Sequence, residues 1–305
     1  MFNFAIVCYL FLGGLGGGLC AVAGASGLSI PREELERQST AKNFDFLGTA
    51  FAVAALSLVL AGLLLLSDAG ITPALKYLFF VSKLSYLSVG AWAIILAVGL
   101  CSVLACMWKM GLAGRNIVLT RVLFASASLV GFVAALYTGL FLASMKAVPL
   151  WNTPWLTALF VFSSLSCGVV TFAVLSKMYG VSGVFPSHMR MLVGIDLGLI
   201  VLELLSAIAL VLTLLGSPTD GPTAAMGVAS ILDVMTGQNS WIWWGGFVGF
   251  GLIVTAVFDV LILRTGRGLP GQSWSVLGIL FCVLAGAFSL RYCIIVAGAH
   301  PVLGF

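Results

Sequence analysis

The sequence predicts an all-α fold, a polytopic membrane helical bundle with eight transmembrane helices and both termini on the exterior side. Three observations carry that expectation. Of 305 residues, 61% are apolar and 8% charged, with a mean hydropathy of +1.19, which leaves too little polar surface to coat a water-soluble particle. Apolar runs near the ~20 residues needed to cross a ~30 Å hydrocarbon core recur along the whole chain. Lys and Arg collect on alternate sides of those runs.

The first span runs from Phe4 to Ala25. AVAGAS at Ala21 to Ser26 looks like a leader cleavage site, but no Lys or Arg precedes Arg32, so the charged start of a signal peptide is missing. Gly13 with Gly17, and Gly14 with Gly18, lie four apart, a spacing that lets a neighbouring helix approach closely. As a nucleotide fingerprint the run fails, because no strand precedes it. The second span, Phe46 to Leu66, ends beside Asp68. Ala74 to Val81 is apolar but too short to cross; it extends the third helix or lies at the interface. The third span, Leu84 to Trp108, opens with Ser85 and Ser88, and the fourth, Val122 to Met145, encloses Tyr137. Lys146, Pro149, Trp151 and Pro154 then cross the interface into the fifth, Trp155 to Ser176. The sixth, Met189 to Leu215, carries Asp196 and Glu203, and a long loop from Gly216 to Ser240 follows. Asp259 lies in the seventh, Trp241 to Leu263, where it is expected to pair with Arg264 or another basic group; Arg291 lies in the eighth, Trp274 to Gly298. Each span must be helical, because a lone segment in lipid satisfies its backbone only within itself.

Charge placement sets the orientation. After odd-numbered spans stand ten basic residues, Arg32, Arg37, Lys42, Lys109, Arg115, Arg121, Lys177, Arg190, Arg264 and Arg267. After even-numbered spans stand three, Lys76, Lys83 and Lys146. The positive-inside bias puts the odd loops in the cytoplasm, and the loop with Asp220 and Asp233 suits the exterior. The net charge of +4 therefore reports topology and not nucleic-acid binding.

Seven cysteines sit mostly within spans without C-x-x-C spacing and read as small packing residues. His188 and His300 fall near span ends on opposite sides, so no axial His pair at one depth is available for a haem b. Neither a haem nor an iron–sulfur cluster is expected on this chain.

Polar groups within the spans are costly in lipid, so a functional reading is the default for them. Near the exterior end stand Tyr9, Asp68, Ser85, Ser88, Tyr137 and Arg291, from five helices. Tyr137 precedes Lys146 by nine residues, about 14 Å below the end of its helix at a rise of about 1.5 Å per residue. Each has a structural alternative: an aromatic belt for Tyr9 and Tyr137, a helix stop for Asp68, interhelical glue for Ser85 and Ser88, and for Arg291 a bond to a carboxylate or backbone carbonyls. A second group lies toward the cytoplasm. Asp196 and Glu203, seven residues apart, share nearly one helix face. Glu203 in mid-membrane serves either as a proton carrier or as a structural acid bonded to a neighbouring helix.

With those residues in place, the chain resembles the NrfD/PsrC (polysulfide reductase) family of integral membrane subunits. The motifs are FLGGLGGG near the start, SDAGITP at Ser67 to Pro73, SYLSVGAW at Ser85 to Trp92, and YTGLFLASMKAVPLWNTPWLTALFVFSSLSCG from Tyr137 to Gly168. The Asp196 and Glu203 pair and LRYCIIVAG at Leu290 to Gly298 follow in the family order. The resemblance implies an eight-helix subunit of the prokaryotic inner membrane that reacts with a quinone, menaquinone being the expected one. It implies docking through the exterior, periplasmic face to a ferredoxin-like [4Fe–4S] subunit, and through it to a molybdopterin or multihaem catalytic subunit in anaerobic respiration. By the same resemblance Tyr137 corresponds to the tyrosine at the quinone head group, and Tyr9 stands where a relative carries histidine. The family's D-L-G-R-P is here Asp68-Ala69-Gly70-Ile71-Thr72-Pro73, which removes the arginine from any salt bridge at that place.

Quinol oxidation needs a head-group hydrogen bond, a proton acceptor and an electron acceptor. Tyr137 would supply the first, with Tyr9, Ser85, Ser88 and Arg291 around it. Asp68 or a linked carboxylate, with Asp196 and Glu203 as tentative proton carriers, would supply the second, and the partner's cluster the third. Two rivals stand beside this reading: a secondary transporter, whose polar groups belong at the midplane on broken helices, and an assembly anchor with no ligand.

Overall fold

The computed structural model describes residues 4–31, 45–69, 86–180, 186–216, 222–265 and 273–298. Ser85 and the 74–81 segment lie outside the described residues, and so does the side chain of Asp68. Among the described residues eight helices are long and apolar enough to cross a membrane, as the run lengths predict, and no strand occurs. The spanning helices are α1 (Phe4–Leu28), α2 (Asp45–Ala69), α3 (Tyr86–Lys109), α4 (Ile117–Ala143), α5 (Pro154–Met178) and α6 (Pro186–Leu215). A short helix, α7 (Pro222–Thr236), precedes α8 (Ile242–Thr265) and α9 (Ser273–Gly298).

Exposed leucines, valines and aromatics such as Leu63, Leu129, Leu205, Leu212 and Phe281 cover the outer faces of the bundle. That is why the helices are apolar on all sides: the faces not packed on protein meet lipid. The axis is formed by α1 and α5, whose spanning stretches are 72% and 78% buried against half or less elsewhere. Around α1 pack α2, α4, α5 and α9, while α6 leans on α5, and α8 on α9 and α6. The start of α1 meets the end of α4 and the end of α9, so those two helices run opposite to α1. We call the end where α1 starts the near end.

Close approach at the axis depends on the glycines of α1. A Cβ on Gly17 would stand 2.8 Å from Ala135 N and 3.0 Å from Gly131 O of α4. One on Gly18 would run into the Ser164 carbonyl of α5, and one on Gly168 into the Gly18 backbone. The four-apart spacing thus serves helix packing, as the sequence suggests. Most cysteines are small buried residues in the same sense: Cys20 donates to Ala127 O at 3.2 Å, and its sulfur lies 3.2 Å from Cys101 Sγ.

Three features depart from the sequence reading. The stretch expected as a long loop after the sixth span contains α7, whose Ile231 and Val234 enter the near-end core. Val228, Ile231 and Met235 recur at helical spacing, but the helix is 15 residues, short of the ~20 that a span requires. In α8, Ile242–Val254 is wound as a π-helix before α-helical Thr255–Thr265. A π-helix of this length is rare; its glycines allow the wider coil, and Gly251 rests on Gly286 of α9.

Trp151 is the third departure, fully buried where the sequence predicts an interfacial tryptophan. Its indole N–H donates to Ile294 O at 2.9 Å, and its ring covers Gly298, so the α4–α5 loop is latched onto the end of α9. Thr153 and Pro154 then start α5, the threonine hydroxyl accepting from Leu156 N at 3.4 Å. Trp151→Phe keeps the ring and removes the donor. The expected loss is about 1 kcal/mol for one buried neutral bond, read as a lowered thermal midpoint of the solubilised protein; an unchanged midpoint would refute the latch.

Candidate functional site

Two tyrosines meet inside the near end. Tyr9 lies in the second turn of α1 and Tyr137 two turns from the end of α4, both buried. Their phenol groups are neighbours, and Phe141 braces both rings, at 6.2 Å and 90° from Tyr9 and at 6.0 Å and 52° from Tyr137. The Tyr137 ring is pressed on Gly90 of α3, where any Cβ would overlap it. Three helices therefore fix the pair: α1 and α4 supply the phenols, and α3 supplies a flat floor because residue 90 lacks a side chain. Ser88 is half-buried two residues before that glycine.

The two hydroxyls face one another, and among the described residues neither has a well-formed hydrogen bond to any other group. A buried polar group without a partner costs about 1–3 kcal/mol, and native proteins keep few of them, often at sites that receive a ligand or water. Neither residue is an interfacial belt tyrosine, since Tyr9 is 0% and Tyr137 4% exposed.

Arg291 of α9 lies one residue position along, against Leu10 rather than in the space between the phenols. Its Nε donates to Leu10 O at 3.1 Å, Nη1 to Ala287 O at 2.9 Å and Ser163 Oγ at 3.4 Å, and Nη2 to Ser164 Oγ at 2.8 Å. The guanidinium stands 5.1 Å over the Phe160 ring and is wholly buried. It joins α9 to α1 and α5 and fixes the register of the turn that carries Tyr9. Gly14 makes room for it, since a Cβ there would strike both the guanidinium and Ser164.

From Arg291 a line of polar groups descends between α5 and α6. Glu203 is buried beside Ser163 and within the field of Arg291. Two turns away along nearly the same face of α6, Asp196 is buried beside Ser166 and next to Asp259 of α8. The expected pairing of Asp259 with Arg264 is therefore corrected. Five residues along a helix turn a side chain about 140° around the axis, so Arg264 is exposed while Asp259 points inward to Asp196. Sequence reading also passed over Ser163, Ser164 and Ser166; their run in FSSLSC, mid-way along an apolar span, was the available signal. Among the described residues no three His, Cys, Asp or Glu side chains converge as metal ligands.

A bundle of eight apolar spanning helices, with buried phenols at one end and an internal polar line, defines a multi-pass membrane protein built around intramembrane polar groups. The family model described as "Polysulphide reductase, NrfD" matches residues 1–302, and the chain belongs to that family. The C subunit of the polysulfide reductase of Wolinella succinogenes is 30% identical over 174 residues, covering 56% of this chain and 52% of its own length. Protein NrfD of Escherichia coli is 29% identical over 169 residues, covering 54% of this chain and 49% of its own length. The chain thus spans about half the length of the curated relatives it matches.

Proposed function

We propose that this chain is the quinone-reactive membrane anchor of a multi-subunit respiratory oxidoreductase, with a quinol held at Tyr9 and Tyr137. The observation that carries the reading is the buried pair of facing phenols, whose hydroxyls have no well-formed partner beyond each other among the described residues. A quinol hydroxyl both donates and accepts, so it can bond to one phenol or bridge the two. Phe141 and the Gly90 floor hold the two phenols in fixed positions for such a contact. As two electrons leave the quinol, its two hydroxyl protons must leave as well. Asp68, at the end of α2, is the proposed first acceptor. The electrons pass to a ferredoxin-like [4Fe–4S] subunit, which connects to a molybdopterin or multihaem catalytic subunit.

The charge bias supports placing the near end outside, where that partner would dock, with both termini exterior. Menaquinone is the proposed quinone, as the family resemblance implies. Arg291 acts here by positioning, since the donors named above already have acceptors. Asp196 and Glu203 are proposed as proton carriers deeper in the bundle.

Tyr137→Phe removes one hydrogen bond and keeps the ring on Gly90. A neutral bond worth about 1 kcal/mol, at ~1.4 kcal/mol per tenfold, gives an expected loss of roughly fivefold to tenfold in quinol-driven reduction of the partner's clusters. The complex should still assemble. Turnover at the wild-type rate in an intact complex would remove Tyr137 from the site.

A further inference from the structure

The far half of the bundle contains a small cavity between α5, α6, α8 and α9. Its volume is about 20 Å³, and its wall is aliphatic, with Val170, Val193, Ile262 and Ile279, except for Asp196 and Asp259. A single water needs about 10–15 Å³ of such space, so the cavity holds one and no more. Asp196 is 1% exposed and Asp259 4%. Both oxygens of Asp196, and Oδ2 of Asp259, lack a well-formed hydrogen bond among the described residues.

Among the described residues the surroundings supply no compensating cation. From α5 the pair faces Ser166 and Cys167, and from α6 it faces Glu203, itself an acid. The cation in this line, Arg291 of α9, lies beyond Glu203 and is bound to Leu10, Ala287, Ser163 and Ser164. Two adjacent carboxylates in a water-poor site do not both stay ionised, whereas one proton between them turns repulsion into a hydrogen bond.

We propose that Asp196 and Asp259 form a one-proton binding site, in which the two carboxyls share a proton beside a single water in this cavity. Binding takes one H⁺ from the medium and releases nothing else. The site is independent of the phenol pair and stands whether or not a quinol binds there. Its ligand is the proton and not a metal ion, because two carboxyls in an aliphatic wall offer too few oxygens to replace the shell of a hard cation. Ser166, Cys167, Glu203 and Ser163 place further polar groups between this site and Arg291.

Infrared difference spectra of the full chain in phospholipid nanodiscs, titrated in K⁺ buffer and again in Na⁺ buffer, test the site. Expected near neutral pH is the carbonyl band of a protonated carboxylic acid, shifted in D2O, identical in both salts, retained in Glu203→Gln and lost in Asp196→Asn/Asp259→Asn. A band lost in Glu203→Gln assigns the proton to Glu203 and overturns the proposal. So does a band abolished by Na⁺ at constant pH, which marks a metal-ion site. Should the double variant not fold, wild type and Glu203→Gln still decide: absence of the band in either refutes the shared proton.

Discussion

Arg291→Leu is expected to destabilise the bundle by about 3–5 kcal/mol, the range for removing one member of a buried charged cluster. The guanidinium is 0% exposed, and its donors engage α1, α5 and α9 together. Leucine would leave the Leu10 carbonyl and the serine hydroxyls without their donors, and Glu203 without its neighbouring cation. Lysine is not a substitute, because a compact ammonium cannot span the acceptors that the planar fork reaches. Adding Glu203→Gln to Arg291→Leu should recover part of the loss, since the amide removes the uncompensated charge; the double-mutant cycle isolates that coupling. Thermal unfolding of the solubilised protein followed by circular dichroism measures both. A loss below ~1 kcal/mol, within the range of an exposed pair, would contradict the assigned role.

Gly18→Leu should prevent the axis from forming at all. Even one methyl at this position overlaps the Ser164 carbonyl, and backbone cannot step aside as a side-chain tip does. Overpacking by small groups costs about 1–3 kcal/mol, which is the expectation for Gly18→Ala; leucine should leave little folded protein in the membrane fraction. Gly62→Ala and Gly99→Ala are the controls, because nothing stands within 4 Å of a Cβ at either. In a helix that exchange is neutral or favourable by roughly 0.5–1 kcal/mol. Equal monodispersity of Gly18→Leu and Gly99→Ala in size-exclusion profiles would refute the close α1–α5 contact.

The eight spans were legible because lipid allows one solution for an isolated apolar run of that length. The α1 glycines were legible for a related reason: a residue that loses helix propensity needs a packing reason to stay. Depth was readable too. Counting residues from the helix ends puts Tyr9 and Tyr137 near the same end, and the structure brings their phenols together. Pairings fixed by rotation around an axis were harder. Arg264 is near Asp259 in sequence but not on its face, whereas Asp196, on another helix, is beside it. Trp151 resembles an interfacial anchor until Gly298, far along the sequence, is seen to leave room for its ring. Helix α7 was hidden by its length and by the polar residues of the stretch around it. The π-helical winding of α8 has no periodic signature in the sequence.

The buried phenol pair also separates the quinone reading from its rivals. A transporter site is expected at the midplane on interrupted helices; Tyr9 and Tyr137 lie toward one end of α1 and α4, both continuous. An anchor without ligand has no use for two hydroxyls that face only each other in an apolar site, since burying a polar group costs unless it is well bonded.

Photolabelling with a ring-azido menaquinone analogue, followed by peptide mapping of the full complex, addresses the central claim most directly. Label on the first turns of α1 around Tyr9 and the last turns of α4 around Tyr137, competed away by unlabelled quinol, is the predicted result. Competed label confined to the far-end groove between α1 and α4, lined by Ala21, Ala25, Leu129 and Phe132, would contradict it.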